Sequence, residues 1–344
     1  MGTADVSGVY EVAIGARDAA PLVGYYLQQG YRVAQQGTLD AEAADRAYGH
    51  RSALASTRLA HGGAAHGLVR VMAWAEPAGD GLGLSPLRVV GSRWTSIVTA
   101  DVLNVANHVE DARTAQLPFA SSGPWWDMVV PRTAPPAPFA VPAVGVREMA
   151  VLQPLTRQVF FERFHYAVPR YGAIDEACLL KTSEACHFGL VCVSDTNDVL
   201  RFYDDTLGLL RTRDNAQRTA EGSTAARGLF DLAPGEGFWV TAFDDPRSSA
   251  DWQAAIPGRL YVIRFAPDRH HDDRRWAAGP GQLGMSLYTF RSRDLGVTRD
   301  RIVAGGATGV SAIAPNEFGE PSLRFTAPDG YVHGLVQRRD WAAQ

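Results

Sequence analysis

Lysine is almost missing from this chain of 344 residues: Lys181 is the only one, and every other basic residue is arginine. With 33 basic against 37 acidic residues the formal net charge is -4, so no broad positive field exists to draw in nucleic acid. Cysteine is scarce as well. Cys178, Cys186 and Cys192 are unevenly spaced and include no CxxC pair, which argues against a disulfide framework or a zinc knuckle and for a reducing, cytoplasmic setting. The opening MGTADVSGVYEV lacks a basic stretch followed by an apolar core, and no uncharged apolar run nears the roughly 18 residues of a membrane span, so neither export nor membrane insertion is expected. The glycine-rich pieces near Gly62 and Gly305 match neither GxxxxGK[ST] nor a strand-linked GxGxxG, which leaves no sign of a nucleotide cofactor.

What is present is an apolar fraction of 46%, enough for two ordinary domains, and an internal repeat. VYEVAIGARDAAPLVGYYLQQGYRVAQ from Val9 and HFGLVCVSDTNDVLRFYDDTLGLLRTR from His187 both read strand, acidic turn, helix, glycine, strand. Asp18 and Asp195 stand where a helix N-cap belongs, and Gly30 and Gly208 stand where a left-handed residue ends the helix. The same unit recurs more weakly from Arg93, with Asp101 at the turn, and from Ser286, with Asp294 at the turn and Gly305-Gly306 at the helix end. Short strand candidates follow the helices: ALASTRLA, HGLVRVMAWAE, ARGLFDLA, GFWVTAFDD and SLRFTAPDGYVHGLVQ. The unit is strand, helix, then three strands. PRTAPPAPFAVPAVG is too rich in proline for a regular element, and TRQVFFERFHYAVPRYG reads as a helix or aromatic loop between halves. The expected division is a two-module domain at 1–155, an aromatic linker at 156–183 and a second two-module domain at 184–344.

The fourfold repeat, the DxxxxLxFYxDxLGL pattern from Asp195 to Leu209 and the terminal APDGYVHGL resemble the vicinal oxygen chelate superfamily of glyoxalases, bleomycin resistance proteins and extradiol dioxygenases. The resemblance implies an α+β fold in which four βαβββ modules pair into two incomplete-barrel, glyoxalase-like domains. It also implies a divalent metal, Fe2+ in the dioxygenases, held by two histidines and a glutamate. Counting seven residues back from each turn aspartate gives Glu11, Trp94, Phe188 and Leu287, of which only Glu11 can bind a metal, and the final-strand position falls on Gly334. The metal site is therefore expected to be reduced or absent. A one-residue bulge in the third module would return His187 to the cavity, and a similar shift would bring in His333, making these two the candidate metal ligands.

Glu11 lies in an otherwise apolar strand, where burial raises a carboxyl pKa and suits it to general-base work; a surface carboxylate paired with arginine is the alternative. Glu148 falls near the metal-carboxylate slot of the second module and is expected to face Glu11 within the first barrel. Glu11, Glu148 and His187 are the catalytic candidates. Trp94, Phe188, Trp125 and Trp126 are the candidates for contact with a flat substrate, with domain packing as the competing role for the tryptophan pair. The leading expectation is a lyase or isomerase using acid-base chemistry on a small aromatic or carbonyl-bearing molecule. An Fe2+ extradiol dioxygenase with displaced ligands and a non-catalytic binding or resistance protein are the alternatives. A small-molecule partner is expected throughout, and a homo-oligomer is compatible with the sequence.

Overall fold

A computed structural model describes residues 5–128, 144–249 and 254–338. Most of the proline-rich PRTAPPAPFAVPAVG segment lies outside them. The first module comprises β1 (Val6–Ala16), α1 (Ala20–Leu27), β2 (Tyr31–Leu39), α2 (Ala41–Tyr48), β3 (Leu54–His61) and β4 (Leu68–Trp74). The second comprises β5 (Arg93–Thr99), α3 (Val102–Thr114), β6 (Ala120–Met128), β7 (Gly145–Leu152) and β8 (Arg157–Phe164). The third runs β9 (Thr182–Val193), β10 (Leu210–Thr219), α4 (Thr224–Phe230), β11 (Gly237–Asp244) and β12 (Arg259–Phe265). The fourth runs β13 (Gly284–Ser292), α5 (Leu295–Ala304), β14 (Ala314–Pro315), β15 (Pro321–Thr326) and β16 (Val332–Gln337).

The helix starts follow the capping chemistry in three modules. Asp101 and Asp294 accept hydrogen bonds from amides of the first turns of α3 and α5, and Asp18 accepts one from Ala20 at the start of α1. Asp195 caps no regular helix. A 3-10 turn at Asp198–Leu200 and a π-type turn at Phe202–Thr206 stand where the third module was expected to have an α-helix, although Gly208 still leaves in the left-handed region.

Four modules of the expected kind make two curled, eight-stranded sheets, but the pairing is not sequential. One sheet has the order β14-β15-β16-β13-β1-β4-β3-β2 and joins the first module to the fourth; the other, β10-β11-β12-β9-β5-β8-β7-β6, joins the second to the third. The seams are antiparallel, β1 against β13 and β5 against β9. A division into 1–155 and 184–344 therefore cuts both sheets. Local strand periodicity carries no information about which first strands meet, because all four are buried almost throughout on both faces.

Two further elements depart from expectation. Residues 157–164, within the expected linker, form β8, and its apolar residues on both faces hide the period of two. ARGLFDLA contributes to α4, capped by Ser223, whose hydroxyl accepts from Ala226. Between the sheets lies the largest core, where Phe160, Phe188, Tyr203 and Tyr288 are buried together. Tyr288 and Tyr331 of the first sheet's modules donate hydroxyl hydrogen bonds to the carbonyls of Trp94, Gly189 and Val191, locking the seam of the second sheet. Among the described residues, no helix is long and apolar enough to cross a membrane.

Candidate active site in the second cup

The two concave faces have opposite contents. In the first, α2 packs Ala44, Ala47 and Tyr48 against Met72, Trp74 and Leu287, and the 316–320 turn places Phe318 with its ring centre 4.1 Å from the Arg58 guanidinium. A cavity of about 10 Å³ lies there, lined by Tyr48, Arg70 and Leu287 among others. Glu11 lies in this filled cup, fully buried, with Arg58 donating to one oxygen at 2.6 Å and Arg70 to the other at 2.7 Å. Arg58 also reaches Glu320, and Arg70 reaches Glu317 and the Tyr48 hydroxyl. Burial alone would raise the Glu11 carboxyl, but the two guanidinium groups outweigh it and hold the pKa below the usual range. The expectation of a raised general base at Glu11 is corrected. So is its partnership with Glu148, which lies on the other sheet.

The second cup holds a cavity of about 470 Å³. Alternation along its strands turns Trp94 and Ser96 of β5, Glu148 of β7, Phe161 and Arg163 of β8, and Arg259 and Tyr261 of β12 toward it. His187 joins them from β9. It shares that face by pairing with Ser96 and Arg259 in a register that is unbroken from His187 onward; the nearby bulge passes over Cys186, which precedes it in the chain. Phe188, at the counted position, points the opposite way. It turns into the core between the sheets, edge-on to Tyr288 at 5.3 Å, and does not line the cavity.

Trp94 takes the counted position in the second module. Its indole lies across Gly189, where a Cβ would come within 1.9 Å of the ring. Trp125 and Trp126 stand outside the cavity lining. Trp125 packs under α4, where a Cβ on Gly228 would meet its Nε1 at 1.9 Å, and Trp126 meets Phe164 edge-on at 5.0 Å. They serve the packing role.

The environment of Glu148 sets its carboxyl near neutrality: burial, with the Asp127 charge adding to it and Arg218 opposing, raises its pKa to about 7. Asp127 accepts from the Ser223 hydroxyl at 2.8 Å and from Arg218 at 3.3 Å. His187 is driven the other way. Burial first, then the Arg259 and Arg163 charges, holds it well below its ordinary pKa, so its ring is neutral at physiological pH. Its Nε2 lies 3.3 Å from the Tyr171 hydroxyl, and its ring stacks on Phe161 at 5.6 Å.

His333 does not share this site. It is buried in the first sheet among Phe290, Phe325 and Tyr288, with Nε2 3.0 Å from the Tyr203 hydroxyl. The bulge that would have redirected it is missing, since Tyr288 pairs with His333 and Thr289 with Gly334 in unbroken register. A two-histidine, one-carboxylate metal centre does not fit the cavity: His187 is its single histidine, Asp127 is engaged by Arg218 and Ser223, and no cluster of three His, Cys, Asp or Glu occurs among the described residues.

A separate cavity of about 430 Å³ is lined by Cys192, His271, Arg275 and Asp329. Its polar groups largely answer one another: Asp329 accepts from Tyr203, Arg275 is held by Asp273, and His271 contacts the Ala266 carbonyl.

Neither a family model nor a curated relative matches the sequence. Solved structures do match. Maize glyoxalase I superimposes with a TM-score of 0.54 at 13% identity, over 97% of this chain and 93% of that one. A mutant of the same maize enzyme gives the same score and identity over 99% and 97%. A proposed dioxygenase from Bacillus subtilis subsp. subtilis str. 168 also scores 0.54, at 11% identity, over 99% and 88%. The chain has the vicinal oxygen chelate fold. At such identities the likeness establishes the architecture and leaves the chemistry to the chain's own cavity.

Of the residues singled out in the sequence, Trp94, Glu148 and His187 line this cavity, together with Asp127, Arg163, Arg218 and Arg259, which were not singled out. Arg259 and Tyr261 were not legible, because RLYVIRF carries an unbroken apolar run, Leu260 to Ile263, that hides which face each side chain takes. Arg163 was hidden in the segment read as a linker.

Proposed function

We propose that this protein is an enzyme that moves a proton on a small aromatic or carbonyl-bearing molecule, as a lyase or isomerase, with Glu148 as the general acid-base. The observation that carries the reading is the Glu148 carboxyl, in a cavity wall with a pKa of about 7, where it both accepts and returns a proton at neutral pH. Neutral His187 is suited to hydrogen-bonding the substrate beside it. Trp94 supplies a flat apolar wall. No step calls on Glu11, which is held as an anion by its two arginines.

The test is proton exchange. Phenylpyruvate and related aryl keto acids and ketones are incubated with the protein in D2O, and loss of the proton next to the carbonyl is followed by NMR. Exchange above the buffer rate that disappears in Glu148→Gln supports the reading. A non-catalytic binding protein is the second reading, favoured by the apolar share of the lining, in which Val159, Phe230, Phe238, Val240 and Ile263 join Trp94. Tight binding without exchange or turnover of any bound compound would select it.

A further inference from the structure

The cavity of the second cup changes character along its strands. At one end Trp94 pairs with Gly189, Val191 with Ile263 and Ile263 with Val240, and Phe230 of α4 closes over the indole at 5.8 Å. Two to four residues along the register the pairs turn polar: Ser96 meets His187, His187 meets Arg259, and Glu148 meets Phe161, with Arg163 the next residue of β8 on that face. One end is apolar, the other cationic.

The positive charges at the cationic end are unequally answered. Arg218 has Asp127 at 3.3 Å, and Arg259 has both oxygens of Asp244, at 2.5 and 2.7 Å. Arg163 and Arg213 also line the cavity, and neither has a carboxylate partner among the described residues. The Arg163 guanidinium lies 5.5, 5.8 and 5.6 Å from the ring centres of Phe161, Tyr166 and Tyr171; it is hydrogen-bonded to the Tyr166 side chain, and its Nε is buried without a hydrogen-bond partner. Aromatic faces stabilise the charge of a guanidinium but accept few of its five N–H groups, whereas a planar oxyanion takes two at once.

We infer that the cavity takes a flat apolar molecule bearing a terminal oxyanion, a carboxylate or a phosphate, with the anion on Arg163 and the apolar body against Trp94. The inference rests on this cavity being the substrate site, and it adds the substrate's charge and direction of entry. Arg213 contributes a second uncompensated charge to the same lining. Arg163 is then the specificity determinant of the site.

The experiment titrates the full chain with 2-naphthoate, 2-naphthyl phosphate and the neutral 2-naphthamide, read by quenching of tryptophan emission and by calorimetry. At least one anion should bind roughly tenfold to a hundredfold more tightly than the amide, the range of a charged hydrogen-bonded pair, and the better anion identifies the head group. In Arg163→Met the anion falls to the amide's affinity while the amide is unaffected. Anions no tighter than the amide, or a preference that survives Arg163→Met, would overturn the inference. Should Arg163→Met weaken the amide as well, Arg163→Lys decides: the single ammonium should cut the anion preference several-fold with amide binding intact, and an unchanged preference overturns the inference. These titrations do not read proton transfer. A failed exchange test at Glu148 leaves the anion preference standing, and a lost preference leaves the Glu148 chemistry standing.

Discussion

Phe161 stacks on His187 at 5.6 Å with the rings only 11° from parallel, while its own backbone pairs with Glu148 on the neighbouring strand. One aromatic residue thus neighbours both Glu148, through its backbone, and His187, through its ring. It helps dehydrate the imidazole, and burial is the leading cause of that group's lowered pKa. Phe161→Ala should let water reach His187 and return its pKa toward 6.5, read from the pH dependence of its imidazole proton shifts by NMR. An imidazole still neutral at pH 5 in the variant would refute this account.

Glu148 makes a prediction of the opposite sign. Its folded pKa of about 7 exceeds the ordinary 4.5, so the folded state holds this proton more tightly than the unfolded chain does. Its contribution to stability is complete below about pH 4.5 and is lost as pH climbs through 7. Glu148→Gln, which cannot ionise, should therefore melt above the wild type at pH 8, with the gap closing below pH 5. Turnover, where found, should show an ionisation near 7 and fall roughly 100- to 10,000-fold in the same variant.

Gly189 is fixed by its neighbour. A Cβ there would come within 1.9 Å of the Trp94 ring, which is hemmed in by Phe230, so even alanine displaces the indole. Gly189→Ala should cost about 1–3 kcal/mol, the usual range for overpacking, measured by urea unfolding. It should also weaken naphthoate binding, because the flat wall of the cavity moves.

The sequence carried the modules because each is a local pattern: capping aspartates, glycines at helix ends and alternating strands lie within about thirty residues of one another. It carried His187 through the local likeness of CHFGLVCVSD to a histidine-bearing phrase. His187 lies one residue before the counted Phe188, and alternation along β9 gives the two side chains opposite directions. Strand partnership was invisible, since β1 meets β13 across more than 260 residues. Glu11 was legible as buried, but its charge state depends on Arg58 and Arg70 from two other strands. The cationic end of the cavity was likewise assembled from β8, β10 and β12, where no single segment displays a cluster.

Glu11→Gln tests the assignment of the first cup to stability. The change leaves Arg58 and Arg70 buried opposite a neutral amide, and breaking a buried pair of this kind costs about 3–5 kcal/mol. Because the folded pKa lies below 4.5, the stability from Glu11 is present above that value and is lost as pH falls through the folded pKa. Naphthoate affinity of the folded fraction should be unchanged. A loss of affinity without a loss of stability would return Glu11 to the binding machinery.

Strand order makes the last prediction. A fragment ending at residue 155 removes β13 from the side of β1, β9 from the side of β5, and β8 from between β5 and β7. It exposes four strand edges that are paired in the whole chain, one on β1, two on β5 and one on β7, and such edges associate or aggregate. Residues 1–155 alone should therefore give no cooperative unfolding transition. Residues 1–169 and 170–344, cut in the loop after β8, keep every strand intact and should recover a cooperative transition only when expressed together, with both pieces copurifying. Independent cooperative folding of 1–155 would mean that the first two modules pair with each other, contrary to the β1–β13 and β5–β9 seams.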